Sequence, residues 1–158
     1  MKIKDTGEGI QIYDFSIVET LKIAHKLEKE GIRFYETLLE KTIDPTVKEV
    51  IRYLLNEEKD HLKLFEKLLE REDAEALDND GEDMLDSVDD GVFVLPPEEE
   101  WAADFDAAMQ LGIAIEKRSL AFYLEVVKYT ESEEGKIILK KIIAEERKHW
   151  EEVKRCLQ

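Results

Sequence analysis

The sequence predicts an all-α protein, a four-helix bundle of two repeated antiparallel helix hairpins joined by a long crossover. Three observations predict it. The 158 residues are rich in Glu, Lys, Leu and Ile and include only 7 Gly and 3 Pro, a balance that favours long helices over a turn-rich β-fold. Slid against itself by 88 positions, the sequence aligns without a gap from Ser16 to the end. Apolar residues recur every three or four positions through both halves, the period of an amphipathic helix. A chain of this length carries one domain with one substantial core.

The opening residues, Met1 to Gly9, have no apolar run behind their lysines and do not read as a signal peptide. No stretch approaches the roughly 20 apolar residues of a membrane span, so the expected location is cytoplasmic. Helix 1 begins at Ser16, an N-cap whose capping box is completed by Glu19. Helix 2 opens at Asp44, with Pro45 at the first helical position. The first hairpin therefore spans 16–72 and turns near 42–44. Residues 73–97 form the crossover, which is acidic, contains Asn79-Asp80-Gly81 and Asp90-Gly91, and ends in Pro96-Pro97. A helix of about 27 residues is about 40 Å long. Some 25 linker residues at about 3.3 Å each can cover that, so the second hairpin starts at the end opposite to where the first finished. Val92-Phe93-Val94-Leu95 is expected to pack along the bundle; the alternative is a partner-binding strand. The second hairpin, 98–158, has Asp104 as the cap of helix 3. Ser132, followed by Glu133 and Glu134, opens helix 4 after a turn near 130–132.

Each apolar stripe breaks near mid-helix. In helix 1, Leu21, Ala24, Ile32, Tyr35 and Leu39 flank Glu28; in helix 2, Val47, Ile51, Leu54, Phe65 and Leu68 flank Glu58 and His61. Helix 3 places Glu116 between Gly112 and Leu120, and helix 4 places Glu146 and His149 between Ile142 and Val153. Glu28 and Glu58 lie 15 residues either side of the first turn, and Glu116 and Glu146 lie 15 either side of the second. In an antiparallel hairpin, equal distances from the turn bring both carboxylates to one level. The histidines follow their glutamates by one turn, on the same face. Four carboxylates buried without compensation cost several kcal/mol each and repel one another, and no Lys or Arg stands at that level to neutralise them. Two divalent cations would. Glu28, Glu58, His61, Glu116, Glu146 and His149 are therefore the candidate ligands of a two-metal site, the ligand set of di-iron and di-manganese carboxylate bundles. Glu and His donors suit iron or manganese and also accept zinc, so these residues leave the metal open.

With these residues in place, the chain resembles the rubrerythrin family of the ferritin-like superfamily, as a single-domain member without a rubredoxin domain. The resemblance rests on Glu28 through Tyr35 with Glu57-Glu58-Lys59-Asp60-His61, and on Glu116 through Tyr123 with Glu145-Glu146-Arg147-Lys148-His149. It implies that Glu58 and Glu146 bridge two irons, that Glu28 and Glu116 are terminal ligands, and that each iron takes one histidine. It also implies an oxidoreductase that reacts with hydrogen peroxide or O2 in oxidative-stress defence or iron handling. Two departures qualify it. One cysteine, Cys156, replaces the four of a rubredoxin domain, so electrons must come from a separate protein such as a rubredoxin. The family's extra glutamate, one turn after the third-helix ligand, is Ser119 here, and its repeat mate is Gly31. The alternatives are a ferroxidase that stores iron, a di-manganese catalase, and a non-catalytic module that binds zinc.

Tyr35 and Tyr123 lie seven residues after Glu28 and Glu116 on the same faces, placed to hydrogen-bond ligand carboxylates or supply a proton or electron. Gly31, Ser119, Ala24 and Gly112 are small, which predicts either room for O2 or peroxide or close helix packing. His25 has no repeat mate and reads as an edge-of-core residue, Glu57 and Glu145 as salt-bridging residues. A net charge of −16 repels phosphate backbones and anionic lipid, excluding nucleic acid and membrane as partners. Bundles of this size commonly pair, so a homodimer is expected.

Overall fold

Four long helices follow one another in the computed structural model: α1 Ile17–Lys41, α2 Pro45–Glu72, α3 Phe105–Tyr129 and α4 Glu133–Cys156. The structure describes residues 2–7, 10–13, 17–72 and 95–158. Helices α1 and α2 pack as one hairpin, α3 and α4 as the other. Their boundaries follow local chemistry. Asp44 Oδ1 accepts from the Thr46 and Val47 amides at 2.8 and 3.0 Å. Asp104 Oδ1 accepts from the Ala107 amide at 2.9 Å, and Ser132 Oγ from the Gly135 amide at 3.2 Å. Each cap satisfies amides that the first helical turn leaves without an intrahelical partner. The C-terminal ends match across the repeat. Buried Thr42 and Thr130 each donate Oγ1 to the carbonyl four residues back, Leu38 at 2.7 Å and Val126 at 3.0 Å. The capping box expected at Ser16 lies outside the described residues, as do residues 73–94 and with them 92–94 of the apolar patch.

The last part of the crossover is described and packs at the end where α3 starts. Leu95 lies against the core there. A short 3-10 turn, Glu98–Glu100, leads to Trp101, which is buried, donates Nε1 to the Pro96 carbonyl at 3.3 Å, and rests its ring 5.0 Å from Phe34. Arg71 and Glu72, the end of α2, lie instead beside Ile17 and Tyr129 at the opposite end. The second hairpin thus begins at the end of the bundle opposite to where α2 finishes.

The all-helical expectation needs one addition. Strands β1, Lys2–Asp5, and β2, Ile10–Tyr13, pair antiparallel, with Ile3 opposite Ile12. Gly7 in the connection has φ +76°, the left-handed region that favours glycine. Strand β2 lies against α3, and Ile10 joins the core.

That core is two apolar clusters. One, around Leu21, Ile23, Phe65, Leu69, Phe122 and Ile142, fills the end where α1 starts. The other, around Phe34, Leu38, Ile51, Leu54, Met109 and Val153, fills the end where α1 finishes. Glu28, Glu58, His61, Glu116, Glu146 and His149 lie in the same four helices between the residues of these clusters, and all six are buried. Replacing either observed cap by alanine, Asp104→Ala or Ser132→Ala, is expected to cost about 1 kcal/mol. Urea unfolding of the metal-free protein measures it, and an unchanged midpoint in both variants would refute the assignment.

Candidate metal centre

Six side chains that prefer water or charge partners converge in the middle of this core. Their relative exposures are 1% for Glu28, 5% for Glu58, 1% for His61, 1% for Glu116, 1% for Glu146 and 0% for His149. Glu28, Glu58, His61 and Glu146 bring one donor atom each within 4.8 Å of the others, and so do Glu58, Glu116, Glu146 and His149. Two four-donor sets that share Glu58 and Glu146 are the geometry of two adjacent ions with two bridging carboxylates.

The imidazoles point the same way. His61 Nδ1 lies 3.1 Å from Glu146 Oε1 and 3.5 Å from Glu28 Oε2. His149 Nδ1 lies 3.3 Å from Glu58 Oε1 and 3.7 Å from Glu116 Oε2. These separations allow charge attraction, but the atoms are not aligned for hydrogen bonds: Glu28 Oε2, both Glu146 oxygens and both inward Nδ1 atoms have no hydrogen-bond partner. Buried polar atoms left this way cost about 1–3 kcal/mol each. Their lone pairs converge on the space two cations would take, so the donor set fits two divalent ions.

Around the six stands a ring of hydrogen bonds, and its main members cross from one hairpin to the other. Tyr35 donates its hydroxyl to Glu116 Oε1, and Tyr123 donates to Glu28 Oε1. Tyr35 and Tyr123 are wholly buried, and burial first, then nearby carboxylates, raises both phenols well above their ordinary value. They remain protonated donors. His61 Nε2 meets Glu145 Oε2 at 3.0 Å. A carboxylate can only accept, so Nε2 donates and Nδ1 faces inward, the nitrogen that would offer its lone pair to a metal once the ring gives up its second proton. The matching pair makes no hydrogen bond: His149 Nε2 is 4.0 Å from Glu57 Oε2 and has no hydrogen-bond partner, while Glu57 Oε2 accepts from the Tyr53 hydroxyl at 3.3 Å.

Glu57 and Glu145 read from the sequence as salt-bridging residues. Glu145 does lie 3.7 Å from Lys141, but its closer contact is the back of His61. The signal was available in the motif Glu-Glu-x-x-His, written in both halves. It was misread because adjacent helical residues point about 100° apart, and the partner of each first glutamate is on the other hairpin. His25 pairs with Glu66 at 3.5 Å and belongs to neither donor set. Asp60 pairs with Lys63 on the surface. Of the small residues, Gly31 and Gly112 serve close packing. A Cβ on Gly31 would stand 3.1 Å from Glu58 Oε2, and one on Gly112 would stand 3.2 Å from both Phe34 and Val153.

Without metal, protons neutralise this cluster. Burial, then the Glu28 charge, raises Glu58 from 4.5 to about 8. Burial, then the Glu58 charge, raises Glu146 well above its ordinary value. Burial pulls His61 and His149 down, but their flanking carboxylates outweigh it and hold the rings cationic, at about 12 and about 11.

The family model described as Rubrerythrin matches residues 5–69 and also residues 19–157. A crystal structure of a protein from Thermotoga maritima, described as a ferritin-like diiron-carboxylate protein, is similar with a TM-score of 0.68. The match covers 92% of this chain and 96% of that one at 24% identity, a likeness that speaks for the fold. No curated protein matches the chain.

Two outcomes follow from the cluster. Metal uptake at neutral pH must displace protons, because Nδ1 of each imidazolium has to become a lone-pair donor. A carboxyl raised above its unfolded value stabilises the fold below about 4.5 and loses that contribution as pH rises through about 8. The histidines' contribution, fully present below 6.5, is lost progressively as pH rises from there toward about 11 to 12. Between pH 5 and 8 the metal-free protein therefore loses carboxyl-linked stability while metal competes better against protons. The Tm difference between loaded and metal-free protein should widen over that range; a constant difference would contradict it. Separately, Glu145→Ala should weaken metal binding about 10- to 100-fold in chelator competition.

Proposed function

The chain belongs to the rubrerythrin family, and from that premise we propose that it is a di-iron carboxylate oxidoreductase that reacts with hydrogen peroxide or O2. The observation that carries the proposal is the pair of buried donor sets sharing Glu58 and Glu146. In this reading Glu28 and His61 hold one iron, Glu116 and His149 hold the other, and Glu58 and Glu146 bridge. Two irons held there would supply the two electrons that reduce the oxidant.

The chain's own residues do the rest. The four carboxylates cancel the charge of two ferrous ions, which favours loading of the pair over one ion alone. Glu145 fixes the ring of His61 from behind. Tyr35 and Tyr123 hold one oxygen each of Glu116 and Glu28, leaving the other oxygen of each for metal. Both phenols stay protonated, which keeps these hydrogen bonds to the two carboxylates in place. The apolar clusters on either side keep bulk water from the open positions.

Ser119 and Gly31 stand where a further ligand glutamate would stand, and Gly31 is closely approached by Glu58. The reading is therefore of a fixed six-ligand site. The single cysteine argues for electrons from a separate donor protein, such as a rubredoxin.

The test begins with anaerobic reconstitution in competing Fe(II), Mn(II) and Zn(II), desalting, and metal analysis. Two irons per chain are expected, with strong loss in Glu58→Ala/Glu146→Ala. Stopped-flow mixing with peroxide should then oxidise the ferrous protein faster than ferrous ion in buffer. Oxidation at the buffer rate would sink the peroxide reading, and stoichiometric zinc or manganese in place of iron would sink the di-iron one.

A further inference from the structure

The two halves of the candidate centre turn the same residue types inward but support their imidazoles differently. A histidine that gives one ring nitrogen to a metal is held by what its other nitrogen bonds, and losing that support weakens metal binding about 10- to 100-fold. His61 Nε2 donates to Glu145 Oε2 at 3.0 Å. His149 is wholly buried, and its Nε2 has no hydrogen-bond partner. Glu57, the repeat mate of Glu145, brings Oε2 only to 4.0 Å.

The residue four positions before each glutamate, one helical turn back on the same face, explains the difference. In α4 it is Lys141, whose Nζ lies 3.7 Å from Glu145 Oε1 and leaves Oε2 to His61. In α2 it is Tyr53, whose hydroxyl donates at 3.3 Å to Glu57 Oε2, the oxygen nearest His149. A lysine of the other hairpin sets the direction of that bond. Lys148 Nζ donates to the Tyr53 hydroxyl at 2.8 Å and lies 4.6 Å from the ring centroid. With an ammonium on its oxygen, the phenol turns its own proton to Glu57. The repeat mate of Lys148 is Asp60, which pairs with Lys63, so the other half holds no equivalent lysine. The Tyr53 ring meets the His149 ring edge-on, with centroids 6.1 Å apart at 87°. Phenol and imidazole thus approach one carboxylate from adjacent positions, and the phenol holds it.

We infer that Tyr53 is a positioning residue that keeps Glu57 off His149, so that an ion on the Glu116/His149 side is held less firmly than one on the Glu28/His61 side. The inference rests on the two-metal reading of the site and does not depend on which divalent metal fills it. Four shared carboxylates favour filling both sides; the unequal support of the imidazoles decides which side empties first.

Zinc, which has no redox chemistry, is the probe. Zinc-loaded wild-type protein and variants are mixed with excess chromogenic chelator, and release is timed. Tyr53→Phe removes only the hydroxyl and should slow release of the first zinc about tenfold, because Glu57 becomes free to accept from His149. Adding Glu57→Ala to Tyr53→Phe should abolish that gain. Tyr53→Lys, which copies the other half, should also slow release, and Lys141→Tyr should speed it. Nitrogen-15 NMR of the zinc-loaded protein reads the bond itself. The His61 Nε2 proton should resonate downfield of that of His149, and Tyr53→Phe should move the His149 signal toward the His61 position. Unchanged or faster release in Tyr53→Phe, or a His149 signal that stays in place, overturns the inference. Failure of the wild-type chain to take up stoichiometric zinc removes the two-metal reading and the inference with it. Two zinc ions per chain with unaltered release in Tyr53→Phe remove the inference alone.

Discussion

Four carboxylates and two imidazoles occupy the centre of an apolar bundle, and the cost of keeping charge there constrains the fold around it. Without metal, burial and mutual repulsion push Glu58 and Glu146 toward the protonated form, while the flanking carboxylates favour the cationic form of His61 and His149. Two divalent ions would replace those protons with a more compact neutralisation, one that also satisfies the inward atoms lacking hydrogen bonds. The apolar layers on either side serve the same end, since a low-dielectric surrounding strengthens every attraction inside it.

The same cluster ties the hairpins together. Tyr35 on α1 reaches Glu116 on α3, Tyr123 on α3 reaches Glu28 on α1, and His61 on α2 meets Glu145 on α4. Each bond joins groups that would be costly to bury alone, so a shift of one hairpin against the other would leave several of them without partners. The buried polar layer therefore fixes a register that apolar packing by itself would leave loose.

Near-symmetry makes the exceptions informative. Glu145 engages His61 at 3.0 Å, whereas Glu57 stands 4.0 Å from His149 and shares its oxygen with Tyr53. Tyr53 corresponds in the repeat to Lys141, which lies 3.7 Å from the other oxygen of Glu145, so the two halves brace this glutamate with different side chains at the same position. Trp101 adds a further asymmetry, packing its ring 5.0 Å from Phe34 at the end where α3 starts. A duplicated hairpin has kept its six central residues in common while the material around each half has become different.

Much of the fold and of the candidate centre was legible in the sequence because both are written in local terms. Helical period sets which face a residue occupies, caps at Asp44, Asp104 and Ser132 set where helices begin, and equal spacing from each turn sets the height of Glu28, Glu58, Glu116 and Glu146. The N-terminal hairpin was missed because strands of four residues have too little periodicity to read, and they gain stability by lying on α3. The roles of Glu57 and Glu145 were missed for another reason. Their partners are 92 and 84 residues away, and which histidine each meets depends on how two hairpins pack. Sequence by itself determined four helices, their pairing and six residues at one level, since these follow from backbone geometry within a hairpin. Only the tertiary structure decided the crossed tyrosine bonds and the unequal support of the two histidines, because they arise where side chains of separate hairpins meet.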